Sequence, residues 1–412
     1  MRRRRSGRFE AAVTGVGLVT PAGIGTDASW AALCDGKSAA ARLDDLRGLP
    51  VDFCCRVGGF DPAAALGRRL SVRLDRVTQL ALAAAREAVA DAGLDPATWD
   101  GARVGVVAGS AFGGTTTFER EHLTLVNDGP EWVSPMLMVM SPVNMVTGYL
   151  AIDARAKGPN LVVSTACAAG ASAIGIARMW LESGLCDVVI AGGSESSLTP
   201  TTMASLAKMG ALSTRKDDPA AACRPFDAGR DGFVAGEGAG FLILERPADA
   251  KARGARVRAR VSGYGATNDA HHPSAPDPSG DGAERAIRIA LADAGLHASD
   301  VQHVNAHGTS TPLNDVTESA IVRRVFGDDC AVTANKGVIG HLIGAAGAVE
   351  TAFSVLSLQH GLVPPTANLE AVDADVHVDV VAGHVRTLPM TAVVSNSFGF
   401  GGQNAAVVVT AA

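Results

Sequence analysis

The run Ala88-Val-Ala-Asp-Ala-Gly-Leu94 returns later in the chain as Ala290-Leu-Ala-Asp-Ala-Gly-Leu296. Each copy ends an Ala-rich stretch with helical spacing. In the first copy Leu74, Val77, Leu80, Ala81, Ala84 and Ala88 mark the apolar face of a helix over Val72–Gly93, and Gly93 stops it. Each copy also leads into an apolar strand that closes on a small polar turn, Gly109-Ser110 or Gly308-Thr309. A repeated helix, strand and turn at this separation predicts two similar α/β halves. The expected division is a basic disordered tail over 1–9, a first half over 10–250 and a second over 257–412. The charged segment Arg246–Gly254 forms the seam.

Leu161-Val-Val163 reads as a buried strand and Ala168–Leu181 as a helix, with Cys167 at the hand-over. Free N–H groups and the positive end of the helix dipole favour a thiolate there. Ala166, Ala168, Ala169 and Gly170 leave room for a substrate. The competing reading is a buried structural cysteine. In the second half, the strand Val301–Asn305 exits through Ala306-His307-Gly308-Thr309-Ser-Thr311. The strand from Ala331 exits through Asn335-Lys336-Gly-Val-Ile-Gly340-His341. A cysteine and two histidines thus stand at the C-terminal ends of apolar strands, the edge where open α/β sheets bind ligands.

Composition narrows the classes. The chain has 412 residues, a net charge of −6 and only 4 % aromatics, so Ala, Val, Leu and Ile must build its core, and a general nucleic-acid binder is disfavoured. The seven cysteines form no CxxC pair or metal-ligand spacing, which predicts reduced thiols in a cytoplasmic protein. The basic start, Met1–Arg8, has no apolar run behind it and does not read as a secretory signal; a lure for an acidic partner is its alternative reading. Trp132–Ile152 carries no charge, but Pro135, Pro142 and Asn144 interrupt it, so it reads as a pocket or subunit interface, not a membrane span. Gly109–Gly114 fits neither the dinucleotide nor the P-loop pattern.

Five stretches in this order resemble the β-ketoacyl-[acyl carrier protein] synthases, the condensing enzymes of the thiolase fold, and the synthase II type in particular. They are Ser-Thr-Ala-Cys167-Ala-Ala-Gly, Pro225-Phe-Asp-Ala-Gly-Arg-Asp-Gly-Phe-Val-Ala-Gly-Glu237-Gly-Ala-Gly240, Asn305-Ala-His307-Gly-Thr-Ser-Thr-Pro, Asn335-Lys336-Gly-Val-Ile-Gly-His341 and Asn396-Ser-Phe398-Gly-Phe400-Gly-Gly402. The resemblance covers about Ala11 to Val409. It implies an α-β-α-β-α layered fold and a decarboxylative Claisen condensation in fatty-acid or polyketide chain elongation. Cys167 would carry the acyl chain, and His307 and His341 would bind the malonyl thioester and promote loss of CO2. The N–H groups of Cys167 and Phe400 would form the oxyanion hole. Lys336 would keep His341 neutral and hold Glu350.

The resemblance further implies that Thr309 and Thr311 contact the phosphopantetheine arm and that Phe112, Phe398 and Phe400 line the substrate site. Asn305 and Glu350 would be structural, and a monovalent cation near Asn305, Glu350, Ser395 and Asn396 is allowed. No cofactor is expected beyond the phosphopantetheine that carries the substrates. Expected partners are an acyl carrier protein, met by Arg68, Arg69, Arg73 and Arg76, and a second copy of the chain in a homodimer. A heterodimer with a chain-length-factor-like subunit is the alternative. Degradative thiolases have a second cysteine where this chain has the Phe400 turn, and non-catalytic partner subunits lack the nucleophile. The departures from the family pattern, Asn314 and Gln403, are expected to stand clear of the chemistry. Phe112, where long-chain enzymes have a smaller aliphatic residue, is expected to shorten the acyl pocket.

Overall fold

The computed structural model describes residues 8–412. In the first half it contains β1 (Ala11–Thr20), α1 (Arg76–Asp91), β2 (Val104–Gly109), α2 (Thr115–Asn127), β3 (Asn160–Val163), α3 (Ala169–Glu182), β4 (Val188–Glu195), α4 (Pro200–Lys208) and β5 (Gly238–Glu245). The second half contains β6 (Ala259–Asn268), α5 (Asp281–Ala294), β7 (His303–Asn305), α6 (Pro312–Phe326), β8 (Ala331–Thr333), α7 (Ala346–His360), β9 (Ala392–Gly399) and β10 (Gln403–Thr410).

The two halves have one topology. Strand order is β3-β2-β4-β5-β1 in the first and β8-β7-β9-β10-β6 in the second. In each, the first three strands run parallel and the last two antiparallel. β1 and β6 join the halves where Ala11–Val13 pairs with Ala259–Val261. Three apolar cores separate the layers: α1 on the first half-sheet, α3 and α7 between the half-sheets, α5 and α6 on the second. This is the α-β-α-β-α order.

The repeated sequence has a specific job in each half. The Asp91 carboxylate accepts the Val16 N–H at 2.8 Å, and Asp293 accepts the Tyr264 N–H at 3.0 Å. Each aspartate thereby ties a helix end to the strand beneath it. Paired glycines on those strands let the helices settle against the backbone. A Cβ at Gly15 or Gly17 would stand 2.0 or 1.9 Å from the Ala88 or Ala84 carbonyl, and one at Gly263 or Gly265 would stand 2.2 or 2.0 Å from that of Ala290 or Ala286.

Three expectations change. The first long helix begins at Arg76, not Val72, because Asp75 caps it by accepting the Val77 N–H while also accepting that of Thr117. The apolar run Leu161–Val163 is not buried: β3 is a sheet edge, and Leu161 is 43 % exposed. Of the basic tail, residues 1–7 lie outside the described residues. Phe9, at its end, is held in place, since its carbonyl accepts from Arg178 and its ring lies under that guanidinium. Among the described residues no helix is long and apolar enough to cross a membrane.

Candidate active site

Cys167 stands in a single 3-10 turn between β3 and α3. Ala166 before it has φ +47°, a left-handed conformation that a non-glycine residue adopts only when its surroundings impose it. His341 occupies the corresponding connection of the second half, between β8 and α7, and His307 follows β7. The duplication therefore brings thiol and imidazole to the same level from opposite sheets. The crossing is close because α3 and α7 meet at glycine: a Cβ at Gly170 would stand 2.5 Å from the Ala348 nitrogen.

His341 Nε2 lies 3.0 Å from Cys167 Sγ. The two imidazoles meet edge to face with centroids 5.4 Å apart, and Phe233 and Phe398 stand edge-on to His341 and His307. One ligand atom each from Cys167, His307 and His341 falls within a 4.8 Å cluster. The tautomers follow from the outer nitrogens. The Ile343 N–H donates to His341 Nδ1 at 3.3 Å, and the Lys336 ammonium, which has only protons to give, lies 3.3 Å from His307 Nδ1. Both rings therefore carry their proton on Nε2, and that of His341 faces Cys167 Sγ.

Burial, with Lys336's charge added, holds both imidazoles well below their ordinary pKa. That direction favours the neutral imidazole, a hydrogen-bond donor without charge. Cys167 corrects an expectation. It is only 6 % exposed, and burial pushes its thiol up to about 11. The charge of Lys336 and the N–H groups of Phe400 and Cys167 oppose that rise without overcoming it. The resting group is a thiol, not the thiolate that a helix N-terminus alone would favour.

Lys336 is fully buried. Its Nζ donates to the His307 carbonyl at 2.6 Å and to Glu350 Oε1 at 2.5 Å, and it touches His307, not His341. It acts on His341 through its charge alone. Burial still raises Glu350 to about 7 despite that partner. Glu318, which sequence reasoning missed, accepts the His307 and Gly308 N–H groups, both at 2.8 Å. Its only signal was a pair of carboxylates, Asp315 and Glu318, at i and i+3 on a helix just after the His307 turn. Asn314 is not clear of the chemistry as expected. It lines the cavity and its amide reaches Asp315 at 3.1 Å and Glu318 at 3.5 Å.

A cavity of about 730 Å³ opens onto Cys167, His307 and His341. Thr309 and Thr311, whose hydroxyls lie 2.8 Å apart, stand on its wall, as do Phe112, Phe398 and Phe400. Behind the site, Asn305 Oδ1, Glu350 Oε2, Ser395 Oγ, Asn396 Oδ1 and Ser397 Oγ are buried with no hydrogen-bond partner among the described residues. A set of hard oxygen donors with one carboxylate fits a monovalent cation and does not suit a soft metal. Of the four arginines, Arg68, Arg69 and Arg73 are exposed. Arg76 is turned inward: it clasps Glu237, at 2.8 Å for the Nε–Oε2 contact, and donates to the Val57 carbonyl at 3.1 Å. It serves the fold and is withdrawn from the docking set.

Comparison with known proteins agrees with this geometry. A family model described as Beta-ketoacyl synthase, N-terminal domain, matches residues 9–250, and one described as Beta-ketoacyl synthase, C-terminal domain, matches 258–370. The chain is 42 % identical to the 3-oxoacyl-[acyl-carrier-protein] synthase 2 of Synechocystis sp. over 399 residues, covering 95 % of each chain. Among solved structures it is similar to the ishigamide ketosynthase/chain length factor (TM-score 0.92, 33 % identity, 98 % of this chain and 100 % of that one). It is also similar to a chain of AntDE:AntF, a type II PKS acyl-carrier protein in complex with its ketosynthase bound to the hexaketide (TM-score 0.91, 31 % identity, 98 % and 100 %).

Proposed function

The chain belongs to the β-ketoacyl synthase family, and from that premise we propose that it elongates acyl chains by decarboxylative Claisen condensation, with Cys167 as the acyl carrier. It is an acyltransferase of the condensing type. The observation that carries the assignment of roles is the convergence of one thiol and two Nε2–H donors on a single cavity.

The first half-reaction is a thioester exchange. The acyl carbon bonds to Cys167 Sγ, its bond to the carrier sulfur breaks, and the thiol proton ends on the carrier thiol. No net proton is released, so a resting thiol with a high pKa suffices if the proton leaves as attack proceeds. The Cys167 and Phe400 N–H groups face the sulfur and suit the acyl oxygen's developing charge. In the second half-reaction malonyl thioester loses CO2, and its electron pair passes to an enolate that accepts from His307 and His341. That carbanion attacks the acyl carbon, the C–Sγ bond breaks, and Cys167 leaves as a thiolate that takes from solvent the one proton the overall condensation consumes. Neutral imidazoles suit this step because they donate without protonating the carbanion.

The malonyl and acyl groups arrive on the phosphopantetheine of an acyl carrier protein, with Thr309 and Thr311 along the arm. No other cofactor is invoked, and the location proposed is the cytoplasm. The halves are taken as 10–250 and 257–412. A monovalent cation held by Asn305, Glu350, Ser395 and Asn396 would offset buried negative charge and steady the wall behind His307. The exposed edge strand β3, with Trp132, Met138 and Ile152 exposed, supports a second copy continuing the sheet as a homodimer. A chain-length-factor-like subunit would use the same face in the polyketide reading.

Two predictions arise here. Phe112 is 48 % exposed on the cavity wall, so Phe112→Ala should lengthen the acyl chains that load onto Cys167. Intact-protein mass spectrometry with a graded series of acyl carriers reads this directly, and an unchanged preference would remove Phe112 as a chain-length determinant. Charge reversal of Arg69 and Arg73 should raise the apparent KM for carrier-borne substrate about tenfold and leave a small thioester mimic unaffected. Equal effects on the two substrates would refute docking at this face.

A further inference from the structure

Glu195 ends β4, is wholly buried and takes no part in the chemistry described so far. Its carboxylate lies between two turns from different halves. Oε2 accepts the Ala111 N–H at 2.7 Å. Burial raises this carboxyl to about 7, and the N–H groups of Ala111, Gly344, Phe112 and Ser196 oppose that rise. Gly344 comes so near that a Cβ there would stand 2.7 Å from Oε2. The residue before it, Ile343, has φ +46°, a conformation in which a β-branched side chain is an outlier. Ile343 is also the residue whose N–H reaches His341 Nδ1. The Ala345 N–H closes this turn on the Leu342 carbonyl at 2.9 Å, and the Glu195 carboxyl packs against it at Gly344.

We propose that Glu195 is a positioning residue for His341. Packed against Gly344, it keeps Ile343 left-handed, which keeps the Ile343 N–H on Nδ1 and the imidazole proton on Nε2. Through Ala111 and Phe112 the same carboxylate sets the acyl-pocket wall relative to that imidazole. The proposal rests on the reading of His341 as a donor to the malonyl thioester.

The test is made on the full-length protein labelled with 15N-histidine, with His341 identified by its loss in His341→Ala. Long-range 15N–1H spectra report the tautomer, and malonyl-carrier decarboxylation reports the step. The wild type should show protonated Nε2. Glu195→Gln should populate protonated Nδ1 and slow decarboxylation about tenfold. In an Ile343→Gly background, where the turn needs no support, the same change should have little effect on either readout. A folded Glu195→Gln protein with the wild-type tautomer and rate would overturn the proposal. A shifted tautomer with an unchanged rate would uphold the positioning and instead remove His341 from decarboxylation. If Glu195→Gln alone fails to fold, the comparison moves to the Ile343→Gly background. A folded double variant with protonated Nε2 supports the proposal. A double variant that also fails to fold shows Glu195 to be a core group with no path through Ile343, and sinks it.

Discussion

Cys167→Ala is expected to abolish the acyl-enzyme and cut condensation by roughly 10^3-fold or more, since no other group can accept the acyl chain at that position. Decarboxylation of malonyl carrier should survive within about tenfold, because the two Nε2–H donors that would bind the enolate remain in place. The split matters more than the loss. A purely structural cysteine, whose removal deforms the site, would depress both steps together. Intact-protein mass spectrometry with an acyl carrier measures the first step, and release of CO2 in the absence of an acyl acceptor measures the second. The other six cysteines are free as well, and five of them are buried. An adduct that persists in Cys167→Ala would therefore move the nucleophile to one of these and dismantle the mechanism.

Lys336→Met is expected to damage stability as well as activity. The ammonium is fully buried and bonds Glu350 and the His307 carbonyl. Removing one member of a buried pair leaves the other uncompensated, at a cost of about 3–5 kcal/mol. The pH dependence has a definite sign. Burial holds the Glu350 carboxyl at about 7 in the folded protein, above the ordinary carboxylate range. Without Lys336 it must stay protonated to higher pH, and a raised carboxyl pKa costs stability as pH rises through the range above the unfolded value. The gap between Lys336→Met and wild type should therefore widen from pH 5.5 to pH 8.5 in denaturant titrations. A gap that narrows over that range would contradict the pairing. Adding Glu350→Gln should recover much of the stability but not the decarboxylation rate. That rate falls because His307 loses its Nδ1 donor and both imidazoles lose the charge that helps keep them neutral.

The chemistry of this chain was legible where it depends on local pattern. Cys167, His307, Lys336 and His341 each lie at the exit of an apolar strand, and strand exits can be read from a run of valines followed by small polar residues. Glu318, Glu195 and Phe233 were not legible in the same way. Nothing in their neighbours' spacing says that a carboxylate on one helix will clamp the backbone of His307, or that one strand's last residue will lie under a turn from the other half. Arg76 and Asn314 misled for the same reason. An arginine at a helix start reads as exposed until Glu237, 161 positions later, is seen to hold it.

The sequence by itself determined the duplicated halves, because Ala-Asp-Ala-Gly-Leu and the paired strand glycines encode one helix-on-strand contact twice. It also determined which thiol and which imidazoles the site would offer. Only the tertiary structure decided how those groups behave. Crossing α3 over α7 buries Cys167, and burial raises its pKa more than the nearby positive charge and N–H groups lower it. The same burial keeps both imidazoles neutral, while Ile343 and Lys336, brought from other segments, select the nitrogen that bears the proton. Charge state and tautomer are set by dielectric and by partners distant in sequence, and neither is a property of any one stretch of chain.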